Sequence, residues 1–349
     1  MKALGRELNV RYVLEGIVQR SGDRTRVNVQ LVDTESGNHL WAERFDKPAA
    51  EFFDMQDEIV ARIANRLGTE LASAEARRSE KAPNPDSLDL YLQGLAWYNK
   101  GPTSENFSQA HNFFDRALAL DSANVDALVA LASTELITAT YLLSEDRDKR
   151  LAAAEAKLTK ALSLAPENAF AHWNLCIIYG WTKRVEQGIA ECERALAINP
   201  NFAAAHATIG AREIYIGRAE ETEAHVREAL RLSPRDPASF YWLSFVGMAK
   251  SALGRDQEAV DWLRQSIEAN RNNPGVHLFL AAALAHLDRS EEARAAVQTA
   301  LTLNPKASVA GFRSNFGSFS DNPVYLAGVE RWCDGLRKAG LPEGDKKTD

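Results

Sequence analysis

Five strings in this chain repeat one another: "RALALDSANVDA", "KALSLAPENAFA", "RALAINPNFAAA", "EALRLSPRDPAS" and "TALTLNPKASVA". They share Ala-Leu-x-(Leu/Ile)-x-Pro, with Ser122 in the proline place of the first. Their alanines are Ala117, Ala161, Ala195, Ala229 and Ala300, spaced 44, 34, 34 and 71 residues apart. A degenerate copy at Ser266 ("QSIEANRNNPG") splits the last interval into 37 and 34. A repeated unit of this length cannot bury its apolar face alone, so it must stack on copies of itself. Six units follow, at residues 87–122, 123–166, 167–202, 203–236, 237–273 and 274–307. The second carries about ten extra residues around "YLLSEDRDKR", which predicts longer helices or a longer loop there.

The recurring residues resemble the tetratricopeptide repeat. In the copy ending at Pro200, Leu175 and Tyr179 lie on the first helix, with Cys176 at the small-residue site and Gly188 and Ala195 on the second helix. The next copies give Ile209, Gly210, Gly217, Thr222 and Ala229, then Val246, Gly247, Gly254, Ala259 and Ser266. The pattern is physically coherent. Antiparallel helices approach closely only where side chains are small, and proline after the second helix stops it before the next begins. The resemblance implies a mainly α fold: a superhelix of six helix pairs.

After the last unit, "SDNPVYLAGVERWCDGLRKAGLPE" reads as a capping helix. Asn322 is a fitting N-cap, Pro323 takes the first helical position, and Gly340 is placed for the left-handed C-terminal conformation. Val324, Leu326, Val329, Trp332, Cys333 and Leu336 are expected to form its apolar stripe.

The front end differs in kind. Residues 10–20, 24–34 and 38–46 read as three antiparallel strands joined by "SGD" and "ESG" turns. Val27, Val29 and Leu31 alternate with Arg26, Asn28 and Gln30, giving one dry and one wet side. A helix over 50–78, with Phe52, Met55, Ile59, Ile63 and Leu67 in one stripe, is expected to cover the dry side. "SEKAPNPDS" (79–87) reads as a linker. The expected domains are an α+β subdomain at 1–80, the array at 81–307, and the cap and tail at 308–349.

"RELNVRYVLEGIVQRSGDRTRVNVQLVDTESGNHLWAERFD" followed by "MQDEIVARIA" resembles the carboxyl half of the TolB-amino-terminal-like domain. That domain precedes tetratricopeptide repeats in bacterial proteins that often carry a class III adenylate cyclase or a winged-helix DNA-binding domain upstream. The closing "GLRKAGLPE" is also similar to cyclase-linked members. The family domain opens with further strand–helix units that do not precede residue 10 here, so the expectation is a truncated domain. Its strand 10–20 has apolar residues of both parities, as in a strand built for the inside of a sheet. Self-association through that strand, or completion by a separate polypeptide, is then expected. No cyclase metal-binding aspartate can be carried over.

Composition and motifs narrow the chemistry. A net charge of −7 in 349 residues argues against a nucleic-acid partner, which needs a basic field. No stretch approaches the roughly 20 apolar residues of a membrane span, and the start lacks a signal-peptide run, so a cytoplasmic location is expected. No GxxxxGK[ST], HExxH, GxSxG or strand-borne GxGxxG occurs. An enzyme, a cofactor and a bound metal are therefore not expected. His172, His206 and His277 share one repeat position, but neighbouring copies sit a helix-pair width apart, too far for shared coordination at roughly 2 Å. Cys176 and Cys192 fall on the two helices of one unit and are expected as packed thiols. "EDRDKR" (145–150) reads as a solvated loop.

In tetratricopeptide arrays the first helices line a concave groove. The resemblance places Tyr91, Leu95, Tyr98, Val129 and Ile137 there from the first two units. Phe170, Trp173, Ile177 and Trp181 follow, then Tyr215, Tyr241 and Met248. Members that grip a terminal carboxylate use basic residues and Asn, and only Asn174 is of that kind, so such a clamp is not expected. The expected function is a non-enzymatic scaffold that takes a helix or apolar peptide of a protein partner. The alternatives are the regulatory region of an adenylate-cyclase-type signalling protein and a small-molecule sensor using the aromatic groove.

Overall fold

The computed structural model describes residues 2–51, 55–56, 59–60, 63, 70–71, 74–75, 85–101, 103–140, 146–234 and 236–344. Two compact units divide the chain, Met1–Leu164 and Ala165–Asp349.

The first unit opens with a short helix α1 (Lys2–Leu8) that the sequence reading does not contain. Its Gly5 packs so closely on Thr34 that a Cβ there would overlap the threonine side chain. Three antiparallel strands follow in the order β1-β2-β3: β1 (Tyr12–Ser21), β2 (Arg24–Asp33) and β3 (His39–Pro48). The turns fall at Gly22 and Gly37, both with positive φ (61° and 81°), a backbone state that glycine enters without steric cost. Val27, Val29 and Leu31 are buried while Arg26, Asn28 and Gln30 alternate toward water. Met55 is fully buried against Val27, Val29 and Phe45, with Ile59 and Ile63 behind it. These are three of the five residues of the expected helical stripe, doing what amphipathic spacing dictates. Phe52, Leu67 and most of the 79–87 linker lie outside the described residues.

Two helix pairs follow among the described residues of the first unit: α2 (Ser87–Tyr98) with α3 (Ser104–Leu120), and α4 (Val125–Thr140) with α5 (Arg147–Leu164). Asp86 and Asp89 form a reciprocal capping box at the start of α2. Part of the extra length of the second pair goes into helix. α5 has 18 residues, against 14 in each of the second helices that begin at Val185, Asp256 and Ser290. Residues 147–150, read from sequence as loop, instead open α5. Asp148 sits in its first turn, where the helix dipole favours an acid, and Arg150 bonds Glu135 at 2.6 Å.

The second unit holds four pairs and a cap. The pairs are α6 (Ala169–Trp181) with α7 (Val185–Ile198), and α8 (Ala203–Tyr215) with α9 (Thr222–Leu232). They continue with α10 (Ser239–Ala252) and α11 (Asp256–Ala269), then α12 (Pro274–His286) and α13 (Ser290–Leu303). The small repeat residue is fully buried in every copy of both units: Ala117, Ala161, Ala195, Ala229, Ser266 and Ala300 are all 0% exposed. A Cβ at Gly247 would lie 2.5 Å from Leu263 Cγ, and one at Gly188 2.9 Å from the Cys176 carbonyl oxygen. Small residues therefore mark the helix crossings, as the repeat pattern requires.

Two closing helices follow, α14 (Val309–Gly317) and α15 (Pro323–Lys338). Only the second is expected from the sequence. α14 is held by Ser308, which accepts a hydrogen bond from the Gly311 amide, and by burial of Val309 and Phe312. On α15, Asn322 caps the start and Gly340 takes φ +88° after the end, as expected. The stripe is corrected at one position: Val324 is 63% exposed, and Tyr325 is buried in its place.

Cys176 and Cys192 correct a second expectation. They form a disulfide with Cα atoms 5.5 Å apart, rather than packed thiols. Both occupy crossing positions of α6 and α7, where the backbones are close enough to fall within bridging range. Cys333 is free and buried.

Candidate functional site

The first helices of the second unit, α6, α8, α10 and α12, carry the residues expected to line a binding face. At its amino-terminal end this face is aromatic and partly open. Phe170 is 41% exposed, Trp173 is half-buried, and both rings pack on Phe202 before α8. Phe170 lies 5.1 Å from Trp173 and stacks on Phe202 at 6.1 Å, while Trp173 and Phe202 are 5.4 Å apart. Trp173 donates its indole N–H to Thr208 Oγ1 at 3.0 Å, which fixes the ring on α8. Ile177 and Tyr241 are half-buried. Asn174 is 1% exposed and donates to the Phe170 carbonyl one turn back, so it lies inside the unit and not on the open face.

Further along, the face is covered by the chain itself. Phe319 stacks on Tyr215 with ring centroids 5.1 Å apart and meets the edge of Trp181 at 4.7 Å. Tyr325 sets its edge on Tyr215 at 5.2 Å, and Asn322 donates to the Ile216 carbonyl at 3.0 Å. Tyr215 is therefore buried, at 6% exposure, and Trp181 is half-buried; Met248 is buried as well, at 4%. Burial holds the Tyr215 and Tyr325 hydroxyls well above the usual phenol range.

α15 lies on α10 and α12 through small residues. Gly328 faces Ala252, and a Cβ at Gly335 would stand 2.7 Å from the Ala282 carbonyl oxygen. Between them Arg331 bonds the Ser251 carbonyl at 3.0 Å and pairs with Asp256. His286 in turn donates to the Arg331 carbonyl at 2.9 Å. Trp332 is fully buried and edge-on to Phe279 at 5.1 Å. This part of the face accepts a helix because its lining is alanine and serine, and the incoming helix carries glycines seven residues apart.

In the first unit, Tyr91, Leu95 and Tyr98 of α2 are half-buried and pack on α3 and α4. Tyr98 stacks on Phe107 at 5.3 Å, Tyr91 lies 6.0 Å from Phe114, and Val129 is buried. The repeated histidines do local work. His172 bonds the Pro166 carbonyl and Glu191, and His277 bonds the Arg271 carbonyl, each tying its helix to the loop six residues before it. Among the described residues, no group of three or more His, Cys, Asp or Glu is placed to hold a metal ion.

Sequence reasoning missed the Phe202 member of the aromatic cluster and the cover over Tyr215. Phe202 precedes α8 and so falls outside the helical positions that the repeat pattern marks. Phe319 lies between helices, and nothing periodic announces it.

The tetratricopeptide repeat family matches residues 147–211 and 251–315. The helical array is a tetratricopeptide repeat array. Among the described residues, six helix pairs follow a three-stranded antiparallel sheet. The curated protein "Putative adenylate cyclase 3" of Rhizobium meliloti (strain 1021) is 32% identical over 199 residues, covering 54% of this chain and 32% of the relative. The chain thus spans about a third of the length of that curated relative. A chain in the crystal structure of the APC/C hetero-tetramer Cut9–Hcn1 superposes with a TM-score of 0.59 at 14% identity, over 74% of this chain and 47% of the other. That likeness is one of fold. No helix among the described residues is long and apolar enough to cross a membrane.

Proposed function

We propose that the chain is a non-catalytic protein-interaction module that binds an apolar helix or peptide of a partner on the first-helix face of its repeats. The observation that carries this reading is the aromatic cluster of Phe170, Trp173 and Phe202, with Phe170 41% exposed on that face. Large exposed aromatics are the usual anchors of protein interfaces, where a few of them supply most of the affinity. Tyr241 and Ile177 extend the surface, and Trp181 marks where the chain's own Phe319 takes over. Tyr91, Leu95 and Tyr98 would serve the equivalent face of the first unit.

Site-specific photo-crosslinking in cells tests the proposal. A benzophenone side chain at position 170 should capture a defined protein, and Trp173→Glu should remove that product. The same probe at Ala224, exposed on the outer side of α9, should capture nothing in common with it. Equal capture at 170 and 224 would overturn the reading.

A second reading rests on the match to a protein named as an adenylate cyclase. On it, residues 1–80 are the carboxyl half of a TolB-amino-terminal-like domain, and the repeats regulate a cyclase without catalysing the reaction. The purified chain should then form no cyclic AMP from ATP, yet change the rate of the relative's catalytic domain when added in trans. Turnover by the chain alone would sink both readings.

A further inference from the structure

The sheet of the first unit has two unlike edges. β3 is defended: it carries Glu43, Arg44, Asp46 and Lys47, ends at Pro48, and its register with β2 slips at Leu31/Val32. Charges, prolines and irregularities of this kind keep a sheet edge from pairing with another chain. β1 is defended less: it carries only Glu15 and Arg20, with no proline and no break in register. It is ten residues long, and its pairing with β2 runs unbroken from Tyr12–Asp33 to Ser21–Arg24. No charge lies between Glu15 and Arg20, and Leu14, Ile17 and Val18 are 41%, 55% and 57% exposed. Among the described residues, no strand lies on its outer side.

Symmetry limits what a second copy can do at this edge. Two identical strands side by side and antiparallel are related by a two-fold axis perpendicular to the sheet. Facing residues then share a side of the sheet, so their numbers add to an even total. A pairing centred on Glu15 would oppose two carboxylates. Centred on Gly16, the pairing sets Leu14 opposite Val18 twice and Glu15 opposite Ile17, with no like charges facing. Leu14 and Val18 pair with Leu31 and Val27 of β2, so they lie on the dry side and would carry it from one copy into the next. Arg20 would come opposite Tyr12, whose hydroxyl is bonded to the Glu75 carboxylate at 2.6 Å. At the centre, a Cβ on Gly16 would meet only the Asn28 carbonyl within 4 Å, which leaves room for a neighbouring backbone.

We propose that β1 is a homodimerisation edge that joins two copies of this chain into one six-stranded sheet, in the register centred on Gly16. This surface is independent of the aromatic face of the repeats and stands or falls separately from it.

Sedimentation equilibrium of the full chain from about 1 to 300 µM, a range suited to a weak interface, gives the first test. The mass should rise with concentration from 38.5 kDa toward twice that value, and Val18→Lys should hold it at the monomer. Hydrogen exchange on the unaltered chain gives a readout that needs no substitution: amides of residues 13–19 should slow as the dimer forms. Cysteine cross-linking then reads the register. Gly16→Cys should give a covalent dimer on mild oxidation. Leu14→Cys alone should not, because the two copies of residue 14 would stand four residues apart, roughly 13 Å. A monomer at every concentration, an open-ended polymer, a dimer indifferent to Val18→Lys, or a dimer that cross-links through Leu14→Cys would each overturn the proposal.

Discussion

At the scale of single residues, the repeat alanines and one ion cluster carry the sharpest consequences. Ala195 and Ala229 are fully buried at helix crossings, so a larger side chain has to displace what packs on them. Ala195→Leu or Ala229→Leu should cost about 1–3 kcal/mol by overpacking, read as a lower urea midpoint. Ala224→Glu, on an exposed position of α9, should shift that midpoint far less, and equal shifts would contradict the crossing geometry. In the first unit, Glu135 of α4 is buried and bonds both His111 of α3 at 2.9 Å and Arg150 of α5 at 2.6 Å. Burial works against its charge, but the bonds from His111 and Arg150 outweigh it and hold the carboxyl down at about 2. The bond to Glu135, opposed by burial, raises His111 above its ordinary 6.5. A raised histidine stabilises fully below its unfolded value, and that stability is lost as pH climbs through the folded value. A lowered carboxyl stabilises fully above its unfolded 4.5, and that stability is lost as pH falls toward about 2. Unfolding of the first unit should therefore be most resistant between 4.5 and 6.5. In His111→Gln the decline above 6.5 should flatten, as denaturant titrations at stepped pH would record.

At the scale of elements, the pair α6–α7 is tied covalently. The Cys176–Cys192 bridge spans 16 residues, for which loop-closure entropy gives about 3 kcal/mol of stabilisation. Thiol titration in denaturant should find one reactive cysteine, Cys333, before reduction and three after it. Reduction should lower the melting temperature of the second unit. Three thiols before reduction would mean that the pair is not bridged. Helix α15 owes its seat to glycine: Gly335→Val has no space beside the Ala282 backbone. It should therefore unseat α15 and expose Trp332, shifting tryptophan emission to the red, whereas Val324→Ala, at a 63% exposed position, should leave the spectrum alone.

At the scale of the whole molecule, repetition and its interruptions divide the labour. An array of near-identical pairs leaves its last copy without a neighbour, and an end cap has to cover that surface. Here the closing segment also covers part of the first-helix face of the second unit, since Phe319, Tyr325 and Trp332 lie over Tyr215 and Phe279. Deleting residues 318–349 should uncover this apolar surface. The shortened chain should then bind a hydrophobic dye and associate at concentrations where the full chain does not.

The sequence by itself determined the six helix pairs, the crossing residues, the three strands and the caps of α15. These depend on local period and on residue size at fixed spacing, and both survive in a linear string. Two things were decided only by the tertiary structure. The bridge between Cys176 and Cys192 depends on how closely two backbones cross, which a spacing of 16 residues does not encode. The division of the first-helix face into an open stretch at Phe170 and a covered one at Tyr215 depends on where a segment more than a hundred residues later comes to rest. The position of β1 at the edge of its sheet, by contrast, matches the sequence expectation of a strand open to pairing: among the described residues no strand lies beyond it. Alternating residues specify which side of a strand is dry, and the strands beside it decide whether its backbone is satisfied.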